Sequence, residues 1–105
     1  MIRETFYQFK LDKQSRILLP KTLREVYEFD KITYMKLLVL EAQLYLKLMG
    51  KEFDFYQMTA TIDEKGRLFI PREVRDKLDF APGIILDSFE QEVDMTTRHI
   101  LLKKR

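Results

Sequence analysis

The chain contains an internal repeat with a period of 51 residues. The segment DKQSRILLPKTLREVYEF at 12–29 aligns without a gap on DEKGRLFIPREVRDKLDF at 63–80. Identical residues in the two copies are Asp12/Asp63, Arg16/Arg67, Pro20/Pro71, Arg24/Arg75 and Phe29/Phe80. Such a repeat indicates two copies of one unit that bury a shared core. With 105 residues in all, neither half suffices for a core of its own. We therefore expect one pseudo-dimeric domain over 1–105, with repeat 1 at 1–50 and repeat 2 at 51–105.

Each copy predicts the same order of elements: strand, turn, strand, helix and hairpin. Residues 5–11 and 55–62 are rich in aromatic and β-favouring side chains and predict the first strands. The Asp-x-x-(Ser/Gly)-Arg sequence predicts a turn in which the aspartate accepts backbone hydrogen bonds and Gly66 tolerates a positive φ, a conformation less suited to Ser15. Short apolar strands are predicted at 17–19 and 68–70. A proline at the first helical position then opens helices at 21–29 and 72–78.

A hairpin closes each copy. In repeat 1 the predicted strands are 33–40 and 43–49, with a turn at Glu41 and Ala42. In repeat 2 they are 84–90 and 98–103, and the loop is expected to be longer by about four residues. The hairpin of repeat 1, which begins at Ile32 and ends at Met49, is apolar at most positions. It is therefore expected to be buried on both faces or to form an oligomer contact on its outer face.

The composition argues against several kinds of site. The sequence has no cysteine and one histidine, His99, so we expect no disulfide, no thiolate metal site and no cofactor. The three glycines, Gly50, Gly66 and Gly83, are too scattered for a phosphate-cradling loop. A nucleophilic serine would need His99 as its base, and His99 falls in a predicted strand. We therefore expect no enzyme and no small-molecule substrate.

The longest aliphatic run covers only residues 37–40, and no apolar stretch of a secretory signal follows Met1. We expect a cytoplasmic protein without a membrane segment. The net charge is only +2, so a nucleic acid would have to be bound by individually placed arginines rather than by bulk charge.

The repeated motif is Asp-x-x-x-Arg, a short apolar run, proline, a later arginine and a β-hairpin. It resembles the swapped-hairpin DNA-binding module of the AbrB, MazE, SpoVT and MraZ proteins. The sequence IDEKGRLFIPREVRDKLDFAPGIIL of repeat 2 is the better match, and MraZ proteins carry two such copies. The resemblance implies a mainly β fold of two β-β-α-β-β repeats, each with one short helix. Their strands would interleave into an AbrB-like barrel, formed here as an intramolecular pseudo-dimer.

The same resemblance implies a sequence-selective protein that binds double-stranded DNA, a transcriptional regulator found in the cytoplasm and on the nucleoid when bound. The DNA-binding residues that it implies are Arg16, Lys21, Arg24, Arg67, Arg72 and Arg75, to which we add the turn lysines Lys13 and Lys65. Glu25 and Asp76 depart from relatives that carry a second arginine after the helix arginine. This departure is expected to weaken the hold on phosphate.

Other interpretations of these residues remain open. Arg16 and Arg67 would brace the turns if they pair with Asp12 and Asp63. Arg24 and Arg75 would form helix-surface pairs with carboxylates four residues later, at Glu28 and Asp79. Turn capping is the expected role of Asp12 and Asp63, rather than a catalytic dyad. Core and cross-strand packing, rather than base stacking, is the expected role of Phe6, Tyr7, Phe9, Phe53, Phe55 and Tyr56.

Two other functions fit the same fold. One is an antitoxin of a toxin–antitoxin pair. Antitoxins of this family usually add a tail, and the chain ends at Arg105 directly after its last predicted strand, so we expect no such tail. The other is a protein-interaction or assembly module that does not bind DNA, which Glu25, Asp76 and the near-neutral charge favour.

Overall fold

The computed structural model describes residues 2–50 and 55–105, and this part of the chain is mainly β. The first repeat contains β1 (Ile2–Lys10), β2 (Arg16–Leu18), α1 (Lys21–Val26), β3 (Tyr34–Leu40) and β4 (Tyr45–Leu48). The second contains β5 (Met58–Thr61), β6 (Arg67–Phe69), α2 (Arg72–Leu78), β7 (Ile85–Glu92) and β8 (Arg98–Lys104). The start of repeat 2 at Lys51 and the aromatic Phe53 lie outside the described residues, as does the side chain of Phe6.

Helix α2 has the predicted bounds, whereas α1 ends at Val26 and is shorter than predicted. The backbone turns left-handed at Glu28, with φ 61°, which stops the helical hydrogen bonding. The prolines were expected at the first helical position, and this is wrong by one residue. Pro20 is the N-cap, with φ −59° and an extended ψ of 151°. Its carbonyl oxygen accepts a hydrogen bond from the Arg24 amide at 2.9 Å, so the ring still sets the start of the helix.

The strands form a six-stranded antiparallel sheet in the order β1-β7-β8-β4-β3-β5 and a separate two-stranded ribbon of β2 and β6. The sheet is open, because β1 and β5 are its two edges and do not pair with each other. The expected closure into a barrel is therefore wrong. Of the predicted strand 55–62, only Met58–Thr61 form β5 of the sheet, while residues 55–57 lie before it and Ile62 forms a bridge with Leu68 of the ribbon.

The two edge strands each pair with a strand from the other half of the chain. Phe9 of β1 is opposite Leu86 of β7, and Ala60 of β5 is opposite Met35 of β3. Beyond these strands the Leu11 amide donates to the Ile84 carbonyl at 3.0 Å, and the Ile62 amide donates to the Thr33 carbonyl at 2.9 Å. The two edges are equivalent under the sequence repeat, because each residue named at one edge lies 51 positions from its counterpart at the other, as Phe9 does from Ala60 and Leu86 from Met35.

One hydrophobic core joins all layers. Apolar side chains from the sheet, the ribbon and both helices belong to a single buried cluster. Ile17 of β2 and Leu68 of β6 have no exposed surface, nor do Leu23 of α1 and Val74 of α2. Burial of this apolar surface drives the two halves together. None of the helices in the described part of the chain is long and apolar enough to cross a membrane.

The connection of the second hairpin is three residues longer than that of the first, where about four were predicted. In the first, Leu40 is opposite Tyr45, with a four-residue turn at 41–44 instead of two residues. In the second hairpin Gln91, the repeat equivalent of Leu40, is opposite His99, so that seven residues separate this pair. Two of the three additional residues pair with each other, Glu92 with Arg98, and extend the strands.

The apolar hairpin of repeat 1 is buried on one face only. Met35, Leu37 and Leu48 have no exposed surface, whereas the alternating outer positions are partly exposed and Tyr34 is 57% exposed. Burial on both faces within the chain is therefore wrong. An oligomer contact on the outer face stays a prediction.

Candidate nucleic-acid interface

The two predicted turns are built in the same way around an aspartate. Asp12 accepts hydrogen bonds from the backbone amides of Gln14 and Arg16 at 2.9 and 2.8 Å, and from Nε of Arg16 at 3.0 Å. In the second turn Asp63 accepts from the amides of Lys65 and Arg67 at 3.0 and 2.9 Å, and from Nε of Arg67 at 2.6 Å. Turn capping by both aspartates is confirmed.

These hydrogen bonds favour the ionised form of both turn aspartates. The Arg67 amide, the Arg67 side chain and the Lys65 amide hold the pKa of Asp63 below its ordinary value. Burial opposes ionisation of Asp12, but the hydrogen bonds from Arg16 and Gln14 outweigh it, so its pKa is also lowered. The arginine side chains are about one-third exposed, at 30% for Arg16 and 36% for Arg67. Each turn therefore holds a partly exposed guanidinium by its Nε.

The ribbon of β2 and β6 follows directly from these turns and presents one exposed face. In the antiparallel register Arg16 is opposite Phe69, and Leu18 is opposite Arg67. Strand alternation sends Ile17 and its partner into the core and leaves the other four outside. Leu18 is 56% exposed and Phe69 is 40% exposed. We call Arg16, Leu18, Arg67 and Phe69 the ribbon face.

The helix arginines bind backbone carbonyls near the ribbon and not the carboxylates at Glu28 and Asp79, which were the alternative to DNA contact. Nε of Arg24 donates to the Leu19 carbonyl oxygen at 2.9 Å, and Nε of Arg75 donates to the Ile70 carbonyl oxygen at 3.1 Å. The Arg75 guanidinium also lies 5.9 Å from the centre of the Phe69 ring. Both side chains are half-buried. Each bond ties a helix arginine to the residue that follows a strand of the ribbon, and contact of these arginines with DNA stays a prediction.

Two hydrogen bonds bring each turn to the other repeat's helix. The Leu19 amide donates to the Gly66 carbonyl, and the Ile70 amide donates to the Ser15 carbonyl, both at 2.8 Å. The turn that carries Lys65 therefore lies beside the segment that leads into α1, and the turn that carries Lys13 lies beside the segment that leads into α2. The eight predicted residues thus form two groups, one at each end of the ribbon.

The exposed cations of the helices have acidic neighbours. Among the predicted DNA-binding residues that form ion pairs, Lys21 and Arg72 are the most exposed. Their side chains are 79% and 85% exposed. Nζ of Lys21 is 4.0 Å from Glu25, and Nε of Arg72 is 3.7 Å from Asp76. Such loose surface pairs stabilise little and leave the cations free to exchange partners.

A cleft of about 560 Å³ opens beside the end of the ribbon where the turn with Lys65 meets α1. Its charged lining residues are Arg24, Lys31, Lys65, Arg67, Asp30, Asp63 and Glu64. Four cations and three carboxylates nearly balance, so the cleft itself has little preference for an anion. Within residues 2–50 and 55–105, no group of three or more His, Asp or Glu side chains is placed to hold a metal ion.

Sequence reasoning missed the exposure of Leu18 and Phe69. Both fell inside short runs that were interpreted as uniformly apolar strands. The signal was present in the alternation from Arg16 and Arg67, because a strand that begins at an exposed arginine exposes the second residue after it. The sequence also did not reveal that Arg24 and Arg75 bind carbonyl oxygens five residues earlier.

A polar cluster joins the second hairpin to β1 and to the end of α1, apart from the ribbon face. Glu90 is 7% exposed, and its carboxylate accepts hydrogen bonds from the Tyr27 hydroxyl at 2.6 Å and from Arg3. Nη1 of Arg98 is 3.8 Å from the same carboxylate. Burial raises the pKa of Tyr27, and burial together with the charge of Lys47 lowers the pKa of His99 to about 4. These shifts follow from burial and structural pairing.

No protein-family model and no curated protein matches the chain. The fold is similar to a solved protein, the solution structure of PHS018 from Pyrococcus horikoshii, with a TM-score of 0.50. The two sequences are 19% identical, and the match covers 93% of this chain and 87% of that one. At this identity the likeness concerns the fold alone.

Proposed function

We propose that this protein is a sequence-selective double-stranded DNA-binding protein, a transcriptional regulator of the AbrB type, and that the ribbon face contacts the DNA. The observation that supports this most is the ribbon face itself. Two arginines, each held through Nε by an aspartate, stand on one exposed face of a two-stranded ribbon. The major groove of B-form DNA admits a two-stranded β-ribbon.

The proposed architecture is the swapped-hairpin pseudo-dimer of the AbrB family. The pairing of β1 with β7 and of β5 with β3 supports it, because each edge strand then belongs to the hairpin of the other repeat. The shared core of the described residues also supports it, since separation of the halves would expose apolar surface from both.

In this proposal the basic residues divide into two roles. Arg16 and Arg67 use Nε for the turn aspartates, and their terminal nitrogens donate to guanine O6 and N7. Lys13, Lys65, Lys21 and Arg72 contact phosphates, which supply affinity but little sequence information. Arg24 and Arg75 hold the ribbon by their carbonyl bonds. If the four phosphate-contacting groups engage, log K falls against log salt with a slope of about −4.

A protein-interaction or assembly module is the second candidate, and an antitoxin is one form of it. The pairs of Lys21 with Glu25 and of Arg72 with Asp76 support this alternative, because they reduce the positive field around the ribbon. The partly exposed outer face of the hairpin from Ile32 to Met49 provides a contact surface for a further copy of the chain.

The deciding experiment is selection of bound duplexes from a random-sequence pool, repeated at several salt concentrations. The wild-type protein should enrich a motif with two half-sites. The double variant Arg16→Ala with Arg67→Ala should lose the enrichment. The control is Lys36→Ala with Lys103→Ala, which also removes two positive charges but on the sheet face away from the ribbon.

Circular dichroism of both double variants establishes that they fold. A folded arginine variant that still enriches the motif would disprove the site. A wild-type protein that enriches no motif at any salt concentration would disprove sequence-selective binding and favour the assembly module.

A further inference from the structure

Two large apolar side chains stand in water between the arginines of the ribbon face. Leu18 is directly opposite Arg67, and Phe69 is directly opposite Arg16. Both residues are more exposed than any core member, while their immediate neighbours Ile17 and Leu68 are fully buried. Their exposure therefore does not serve the core of this chain.

The neighbouring arginines indicate what these side chains meet. On the proposed function, the ribbon face lies in the major groove of DNA. The apolar group that base pairs present there is the C5-methyl group of thymine. Residues two apart on a strand lie about 7 Å apart, which is roughly two base-pair steps. Each strand of the ribbon thus offers one arginine and, two residues later, one apolar side chain.

We infer that Leu18 and Phe69 are specificity-determining residues that contact thymine methyl groups, one in each half of the bound duplex. This inference rests on the proposed function. It also makes the two half-sites unequal, because a leucine and a phenylalanine occupy equivalent positions of the two repeats. Phe69 is further held by the Arg75 guanidinium at 5.9 Å from its ring centre. The aromatic ring therefore has a more restricted position than the freely exposed Leu18.

The cations around the ribbon face also differ between the two repeats, which adds to the inequality of the half-sites. Lys21 of the first repeat corresponds to Arg72 of the second, and the turn lysines occupy different positions, since Lys13 aligns with Glu64. An ammonium and a guanidinium contact phosphate with different geometry. The preferred duplex should therefore be a pseudo-palindrome rather than a true one.

The test replaces thymine by deoxyuridine, which removes only the methyl group, at each position of a duplex selected by the wild-type protein. Binding of the wild-type chain should weaken about threefold to fourfold at one thymine in each half, from the burial of one methyl group. Phe69→Ala should abolish the sensitivity in one half, and Leu18→Ala should abolish it in the other. Leu44→Ala is the matched control, because Leu44 is also about half exposed, at 51%, but lies at the tip of the first hairpin.

An exchange variant, Leu18→Phe with Phe69→Leu, provides a second measurement. Both side chains are exposed, so the exchange should leave the fold intact. The exchange variant should bind the selected duplex in the reverse orientation, which a DNA-cleaving probe tethered to one repeat detects as cutting in the other half of the duplex. A selected motif that is insensitive to deoxyuridine at every thymine, or that contains no thymine, would overturn the inference while leaving the proposed function standing. Absence of any selected motif would overturn both.

Discussion

The Leu19 backbone amide donates a hydrogen bond to the Gly66 carbonyl oxygen at 2.8 Å, and a Cβ at Gly66 would lie 2.6 Å from the Leu19 carbonyl oxygen. The same Cβ would lie 2.6 Å from Nε of Arg24. The turn of the second repeat thus meets the helix start of the first in backbone contact. Gly66 also has φ +85°, a value that favours glycine. No bulkier residue fits this contact without moving the turn.

We expect Gly66→Ala to destabilise the protein more than Gly83→Ala. Gly83 has a similar φ of +93°, but nothing lies within 4 Å of an added Cβ. The Gly83 variant should therefore lose only the left-handed preference, about 1 kcal/mol. The Gly66 variant should lose about 1–3 kcal/mol more from overlap with the Leu19 carbonyl. Urea unfolding measures both, and equal losses would show that the turn moves away without cost.

Removal of the acidic partners of the helix cations should strengthen DNA binding. Glu25→Gln with Asp76→Asn frees Lys21 and Arg72, whose present ion pairs are 4.0 and 3.7 Å long. Affinity for duplex DNA at low salt should rise about threefold for each carboxylate removed, as for other surface charge pairs. Fluorescence anisotropy with labelled duplex measures the change. The charge-matched control is Glu4→Gln with Glu92→Gln, and an equal gain in the control would mean that only net charge matters.

Tyr27→Phe should destabilise the protein by about 1.5–3 kcal/mol, the usual contribution of a hydrogen bond to a charged group. Burial opposes ionisation of Glu90, but hydrogen bonds from Tyr27 and Arg3 outweigh it and hold the pKa of this carboxylate below its ordinary value. Loss of the Tyr27 hydroxyl leaves the buried carboxylate with one donor fewer. Tyr34→Phe is the control, since Tyr34 is 57% exposed, and should change the free energy of unfolding little. Similar losses in the two variants would contradict the role of the cluster.

Stability should fall as the pH is lowered from about 6.5 towards 4. His99 is 4% exposed, and burial together with the charge of Lys47 lowers its pKa from 6.5 to about 4, while Asp94 acts in the opposite sense. Between these values the unfolded chain binds a proton that the folded chain does not, so protonation favours unfolding. The slope contributed by His99 is at most about 1.4 kcal/mol per pH unit.

His99→Gln should flatten this dependence between pH 6.5 and 5, where few carboxylates titrate, even if the variant is less stable at pH 7. Chemical unfolding at several pH values measures the slope. An unchanged slope in the variant would assign the pH dependence to other groups.

Local features were predictable where neighbouring residues decide them. The aspartate turns and the bounds of α2 follow from hydrogen-bonding side chains, proline and helical apolar spacing within a few residues. Helix α1 was predicted too long, because the apolar pattern continues through Tyr27 and Phe29 while the backbone turns left-handed at Glu28. Periodicity records which side chains are buried, and a residue beyond the end of a helix can be buried as well.

The polar cluster of Glu90 could not be predicted. Its members Arg3, Tyr27 and Arg98 come from β1, from the end of α1 and from β8, and no local pattern connects them. The repeat predicts an apolar residue at this position, since the equivalent of Glu90 in the first copy is Val39. A buried carboxylate is tolerated only where the fold supplies donors from distant segments.

The sequence by itself determined the two-copy organisation, the predominance of strands, the turn chemistry and the arginines that recur 51 residues apart, because these depend on the chain's own order of side chains. Only the tertiary structure decided that the sheet stays open and that Arg24 and Arg75 bind backbone carbonyls. It alone also decided that Leu18 lies opposite Arg67 and Phe69 opposite Arg16. The physical reason is that pairing partners and solvent exposure are set by which distant segments meet. Alternation along a strand indicates which of its residues share a face, but only the register with the partner strand decides which residues of the two strands lie side by side.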